Sequence, residues 1–113
     1  DLNDYTEEDG APDGRHALAP LLDGGFAVDA IKRIADPRDR WTHFFPDERA
    51  YRQLDYLLLS PALARKNQDT VPRILRTGLP YRAERYMGPR YPRIGWDRPK
   101  ASDHCPVVMD LRF

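Results

Sequence analysis

Two polar residues near the C-terminus stand where a basic, proline-rich segment gives way to an apolar run. They are Asp103 and His104, and the apolar run follows at residues 107–111. At the entrance of a strand, neighbouring side chains can reach one edge of a site although they point to opposite faces. An aspartate and a histidine so placed can hold a metal ion or a water molecule and can transfer a proton. The alternative is a loop aspartate beside a surface histidine.

A second carboxylate lies inside a stretch that is otherwise almost wholly apolar. Asp55 interrupts residues 54–59, a pattern typical of a strand covered on both faces. Because an unpaired buried charge is very costly, Asp55 needs a partner. His104 is a good candidate, since a carboxylate on one ring nitrogen fixes the tautomer and leaves the other nitrogen for chemistry. Arg52 is the alternative partner.

The first residues of the chain offer a further pair of polar side chains. Asp1 and Asn3 are two apart and point the same way if the chain is extended there. A carboxylate beside an amide can bind a metal ion, a phosphate or an attacking water. The alternative is an ordinary loop, in which both residue types are common.

Together these stretches resemble the endonuclease/exonuclease/phosphatase superfamily, whose fold is that of deoxyribonuclease I. The family pattern runs Gly-Asp-x-Asn, an aromatic-Thr strand, Arg-x-x-Asp-Tyr before an apolar strand, and Ser-Asp-His-x-Pro. Its order and spacing fit essentially the whole chain, although the family's Gly would precede the first residue. The matching positions are Asp1 with Asn3, Trp41 with Thr42, residues 52–56 and residues 102–106.

The resemblance implies a fold of the α/β (α+β) class. It implies the C-terminal half of a four-layer α/β sandwich, with a mostly antiparallel sheet, short helices and long loops. On this interpretation residues 1–113 form a single unit, and the first half, which carries the glutamate that binds the metal, is missing. Without that glutamate we expect the chain alone to be inactive. Because the inner sheet face would also be uncovered, we expect the chain to self-associate.

The resemblance also implies a divalent-metal-dependent phosphoesterase, with nuclease-like phosphodiester hydrolysis as the leading prediction. The cofactor would be Mg²⁺ or Mn²⁺, held by Asp1 and Asp103, since hard cations prefer oxygen ligands. Asp1 would activate or orient the attacking water, and Asn3 would hold that water or the phosphate. His104 would act at the phosphate, oriented by Asp55. Two alternatives remain: a phosphomonoesterase for inositol phosphates or lipid head groups, and a non-catalytic module that binds anions.

The balanced net charge of the chain hides an asymmetry. Basic and acidic residues number 18 each. Residues 1–64, however, carry seven basic and 13 acidic side chains, whereas residues 65–100 carry ten basic and three acidic ones. The basic part leads directly to residues 102–104, as an anionic substrate would require. The alternative is two ordinary solvated surfaces.

Residues 78–100 form a long segment without a regular pattern. Long structureless loops in compact domains are often functional. Aromatic residues alternate here with arginines, which suits stacking on bases or sugars beside phosphate contacts. The alternative is that the aromatic rings pack the loop onto its own domain. The residues predicted to bind a phosphate-ester substrate, for which nucleic acid is one candidate, are Arg82, Arg85, Tyr86, Arg90, Arg93 and Trp96.

The elements that must position these residues are short. Apolar spacing predicts two short helices, residues 15–22 and 26–34, and Pro61 begins a helical turn at residues 61–64. A hairpin is predicted from the first two of four strands, at residues 41–45, 51–60, 71–77 and 107–113.

Several site classes are excluded by composition. The single Cys105 rules out an internal disulfide, and three scattered histidines match no zinc-ligand spacing. No run approaches the length needed to span a membrane.

Within its strand, His43 could face either the core or a cleft.

Overall fold

The computed structural model describes residues 1–4 and 17–113, which form a mixed α/β fold of short elements and long connections. The predicted fold class is therefore confirmed, with mostly antiparallel small sheets. In chain order the elements are α1 (Ala19–Leu22), β1 (Val28–Asp29), the 3₁₀ helices Ala30–Arg33 and Pro37–Asp39, β2 (His43–Phe45), β3 (Ala50–Arg52), β4 (Leu58–Leu59), α2 (Pro61–Lys66), β5 (Arg73–Ile74) and β6 (Val107–Val108).

The predicted hairpin is confirmed at β2 and β3, but its second strand, predicted over residues 51–60, ends at Arg52. Leu58 and Leu59 form the separate strand β4, which pairs with β1. The two strands pair antiparallel, with His43 opposite Arg52 and Phe45 opposite Ala50. Arg49, in the connecting turn, has a positive φ of 50°. A tight reversal of this kind brings the residues after β3 back beside those before β2.

The predicted helix at residues 26–34 is wrong for its first half. Val28 and Asp29 instead form β1 and pair with Leu59 and Leu58 of β4. The Asp29 carboxylate then accepts the backbone N–H of Ile31 at 3.0 Å and caps the 3₁₀ helix Ala30–Arg33. Pairing with a distant strand satisfies the backbone of β1, so tertiary contact overrides the local helical spacing.

The helical turn predicted at residues 61–64 is confirmed and continues to Lys66 as α2. The Ser60 hydroxyl accepts the backbone N–H of Leu63 at 3.2 Å, and Pro61 occupies the first turn, where its missing N–H costs nothing. Asn67 ends α2, and its side chain also pairs with Arg112, accepting the backbone N–H at 2.7 Å.

The strands β5 and β6 are shorter than predicted. Each has only two residues, with Ile74 opposite Val107, although the sequence predicted strands over residues 71–77 and 107–113. Pro72 and Pro106 flank the paired residues, and proline cannot donate to a sheet ladder. The polar, acidic and glycine-containing sequence of residues 4–14 predicts a loop. Apart from Asp4, this loop lies outside the described residues, as do the first two residues of the helix predicted at 15–22.

Two apolar clusters hold these elements together. The larger one lies beneath the hairpin and the long loop, and the Arg76 guanidinium covers its Trp41 ring at 4.0 Å. The buried members of the larger cluster are Trp41, Phe44, Leu79, Ala83 and Cys105, and those of the smaller are Ala30, Leu59 and Ala64.

Among the described residues, no helix combines the length and apolar character needed to cross a membrane.

Candidate active site

Thr42 joins the two chain segments that carry the predicted Asp–His pair. Its hydroxyl oxygen accepts the backbone N–H groups of Leu54 and Asp55, each at 3.0 Å. Its backbone carbonyl accepts the N–H of Cys105 at 2.7 Å, next to His104. Thr42 is fully buried, with 0% exposure. One buried residue therefore fixes how the two segments lie against each other.

Asp55 and His104 are brought together, as the sequence predicted. The Nδ1 atom of His104 lies 3.0 Å from Oδ2 and 3.2 Å from Oδ1 of Asp55. Because an ionised carboxylate only accepts hydrogen bonds, Nδ1 carries the proton in the neutral imidazole. The lone pair of Nε2 is then free for a proton, a metal ion or a substrate atom.

The carboxylate of Asp1 lies near Nε2, the other nitrogen of the His104 imidazole. Its Oδ2 atom is 3.8 Å from Nε2 of His104. Asn3 donates its backbone N–H to Oδ1 of Asp1 at 3.0 Å, and its own φ of 48° lies in the left-handed region that asparagine tolerates. The backbone N–H of Leu2 donates to the carbonyl of Leu54 at 3.0 Å, which ties this segment to the one that carries Asp55.

The carboxylates of Asp1 and Asp55 and the imidazole of His104 form a group that could hold a metal ion. One ligand atom from each lies within 4.8 Å of the other two. All three residues line an open pocket of about 370 Å³. Two carboxylates and one imidazole fit a divalent cation, because oxygen ligands suit Mg²⁺ and Mn²⁺ and imidazole suits transition metals. This donor set does not distinguish Mg²⁺ from Mn²⁺.

Asp103, the second predicted metal ligand, lies outside this group of three in the described part of the chain. Its Oδ2 atom is 3.3 Å from Nζ of Lys100 and 3.6 Å from Nε2 of His43. Partial burial would raise the pKa of Asp103, but its own backbone N–H and the Lys100 ammonium outweigh burial and lower that pKa. Asp103 is therefore held ionised beside the site. Its direct contact with a metal stays a prediction.

His43 is the site neighbour whose position the sequence left open, and it is buried. Its ring meets the His104 ring edge-on, with centroids 4.3 Å apart, and packs in the same way on Phe45 at 4.2 Å. Burial and the nearby His104 lower the pKa of His43, although Asp103 acts in the opposite direction. In the sequence, His43 directly follows Thr42 in the aromatic-Thr strand. This position was the signal that could have placed His43 at the site.

Arg90, predicted to bind substrate, instead organises the long loop. Its guanidinium lies 4.6 Å from the centre of the Tyr81 ring and 5.0 Å from that of Tyr86. Five backbone carbonyls surround its nitrogens, so its hydrogen-bonding capacity is used within the protein. The distances are 3.0 Å to Leu79, 3.2 Å to Pro80, 3.1 Å to Ala83, 2.9 Å to Tyr86 and 3.4 Å to Gly88.

The other five residues that were predicted to bind substrate differ in their contacts and in their exposure to solvent. Arg82 donates to the Pro46 carbonyl at 3.0 Å, and Tyr86 packs partly against the larger core cluster. Arg85 lies over the Tyr51 ring at 5.3 Å but is exposed to solvent. Arg93 and Trp96 are also exposed, Trp96 to 59%. Their position leaves Arg85, Arg93 and Trp96 accessible to a ligand.

No protein-family model, curated protein or solved structure matches this chain.

Proposed function

We propose that this chain provides the site of a divalent-metal-dependent phosphoesterase that hydrolyses phosphodiesters, with the motif arrangement of the endonuclease/exonuclease/phosphatase superfamily. The observation that carries the proposal is a row of three side chains, in which the imidazole of His104 lies between the carboxylates of Asp55 and Asp1. The two nitrogens of one imidazole face two carboxylates, at 3.0 Å and 3.8 Å. Both groups accept hydrogen bonds, so an attacking water, which can donate to each of them, fits chemically between Nε2 and the Asp1 carboxylate.

The residues of the row have distinct tasks in such a hydrolysis. Asp55 holds the Nδ1 proton and keeps Nε2 of His104 directed to the substrate. Water attacks phosphorus, a P–O bond forms, and the bond to the leaving oxygen breaks. Asp1 and Nε2 of His104 are both candidates to accept the proton of the water. A bound Mg²⁺ or Mn²⁺ would supply positive charge for the phosphoryl oxygens.

The basic part of the chain supports an anionic polymer as substrate. Residues 65–100 carry a net charge of +7, and the exposed Arg85, Arg93 and Trp96 belong to this part. Cationic side chains beside an exposed ring are the common features of surfaces that hold a nucleic-acid backbone and stack on its bases. This charge favours a phosphodiester of nucleic acid over a small phosphomonoester.

The test is an assay of the protein expressed from its complete gene. We expect hydrolysis of a dinucleotide in Mg²⁺ or Mn²⁺ that stops in excess chelator. Asp1→Asn should lower kcat by roughly 100-fold or more, the scale on which positioned acid–base groups act. The matched control is Asp110→Asn, the same chemical change at an exposed residue, which should leave kcat unchanged. Undiminished turnover after exhaustive metal removal would sink the proposal.

The same protein distinguishes the two alternatives. An anion-binding module without catalysis predicts polyanion binding that weakens steeply as salt rises, with no turnover in either metal. A phosphomonoesterase predicts that a nucleoside monophosphate or an inositol phosphate is hydrolysed faster than the dinucleotide. The net positive charge of residues 65–100 supports the first alternative, the anion-binding module.

A further inference from the structure

A second, smaller pocket adjoins the candidate active site. Its volume is about 110 Å³, and it shares Ser102, His104 and Pro106 with the larger pocket. A group bound there would therefore lie beside the imidazole that is proposed to act on the phosphate. Apart from His104, the walls are mostly apolar, with main contributions from Leu75, Leu79, Tyr91, Ala101 and Pro106.

Backbone hydrogen bonds build the walls of this small pocket. Tyr91 donates its N–H to the carbonyl of Thr77 at 2.9 Å, and Ala101 donates to that of Gly78 at 3.0 Å. Gly78 is needed for this close approach, since a Cβ there would lie only 2.9 Å from the Cβ of Ala101. The pocket is thus formed before any ligand enters, and a ligand need not pay to order it.

The size and lining of the pocket select the occupant. An apolar cavity of roughly 150 Å³ holds one benzene molecule, so a pocket of about 110 Å³ admits at most one six-membered ring, with part of the ring outside the pocket. Tyr91 is 57% exposed and offers a ring for stacking. A polyhydroxylated ring such as inositol would lose hydrogen bonds to water against these apolar walls.

We propose that this pocket, named here the ring pocket, binds the nucleobase of an unpaired nucleotide next to the phosphate that is cleaved. The inference rests on the proposed function for the position of the phosphate. It adds the substrate class: a single-stranded or locally unpaired nucleic acid, because a base inside a duplex is stacked on both faces and cannot enter. The ring of Tyr91 stacks on the base, and the small side chain of Ala101 leaves space for the base in the pocket.

The test compares two substrates on the protein expressed from its complete gene. One is a thymidine dinucleotide, and the other is the same dinucleotide with its bases replaced by hydrogen. We expect Tyr91→Ala to lower kcat/KM for the dinucleotide by roughly 5- to 150-fold, the range for loss of one stacking ring, and to leave the base-free substrate unchanged. Tyr91→Phe keeps the ring and should behave as the wild type. Ala101→Leu keeps Tyr91 but fills the pocket, and should act like Tyr91→Ala.

A binding measurement separates this inference from the proposed function. Thymidine 5′-monophosphate is titrated into the wild type and Tyr91→Ala without metal, and the backbone amide resonances of the pocket residues Thr77, Gly78 and Ala101 are followed by NMR in both proteins. A shift that saturates in the wild type, with weaker binding to Tyr91→Ala, supports the ring pocket even if no substrate is hydrolysed. Hydrolysis of both substrates at rates that Tyr91→Ala does not alter would overturn the ring pocket and leave the phosphoesterase standing. Absence of any nucleotide-induced shift would also overturn it.

Discussion

The hydroxyl oxygen of Thr42 accepts the backbone N–H of Asp55 at 3.0 Å, across 13 residues of sequence. The same oxygen accepts the N–H of Leu54, so a single side chain satisfies two consecutive amides. Without this hydroxyl both amides would lose their acceptor in a buried position, where an unsatisfied group is costly.

Replacement of Thr42 should therefore distinguish the hydroxyl from the shape of the side chain. Thr42→Val keeps the shape and should lower the free energy of unfolding by about 2 kcal/mol or more, since two buried N–H groups lose their partner. Thr42→Ser keeps the hydroxyl and should cost about 1 kcal/mol for the lost methyl group. Urea unfolding measures both, and equal losses would show that the hydroxyl bonds contribute little.

Asp55→Asn should disable the site without unfolding the protein. Asparagine has one acceptor oxygen in place of two and no negative charge, and when its NH₂ group faces Nδ1 of His104 it favours the other tautomer, which removes the free lone pair of Nε2. We expect kcat to fall by about 10²- to 10⁴-fold, a scale known for loss of an orienting carboxylate. The ¹⁵N shifts of the His104 ring should report the exchange of tautomers. Unchanged ring shifts together with unchanged kcat would argue against the orienting role.

Arg90→Lys should loosen the long loop although the charge is kept. A lysine ammonium has three donors on a flexible stem and cannot reproduce the contacts of the guanidinium with five carbonyls. We expect a loss of about 2 kcal/mol in the free energy of unfolding and faster proteolysis within residues 78–100. Arg93→Lys is the matched control at an exposed position of the same loop. Equal proteolysis of the two variants would contradict the prediction.

Cys105 should make the stability of the protein depend on pH above about pH 9. Burial raises the pKa of this thiol to about 12, whereas an unfolded chain has a cysteine pKa of roughly 8.5. Between these values the folded state binds more protons than the unfolded state, so stability falls as pH rises. The expected slope approaches about 1.4 kcal/mol per pH unit. The same slope in Cys105→Ala, measured by urea unfolding from pH 8 to 10.5, would disprove this contribution.

The parts that sequence reasoning predicted were those under strong local or charge constraints. The pairing of Asp55 with His104 followed from the cost of a carboxylate in an apolar strand. The start of α2 followed from Pro61, whose ring fixes the local backbone in a conformation suited to the first turn of a helix. Such constraints act within a few residues or leave few suitable partners, so a single sequence is sufficient to find them.

The parts that it missed depend on contacts between distant residues. Val28 had helical neighbours, but its pairing with Leu59 made it a strand residue. The contacts of the Asp103 carboxylate with Lys100 and His43 were not predicted, whereas its contact with a metal stays a prediction. Neither contact leaves a periodic signal in the sequence, since each is specified only once the whole chain is packed.

The long sequence separations within the site have a consequence for how the protein folds. Asp55 and His104 are 49 residues apart, and the hydroxyl of Tyr56 reaches the Asp4 carbonyl across 52. Contacts of this kind must overcome a large loop-closure entropy, and they become favourable only when the intervening chain has collapsed around them. The hairpin of β2 and β3 needs no such collapse and can form first. We therefore expect the Asp–His pair to assemble in the last stage of refolding, so that a partly folded intermediate would contain the hairpin but no working imidazole.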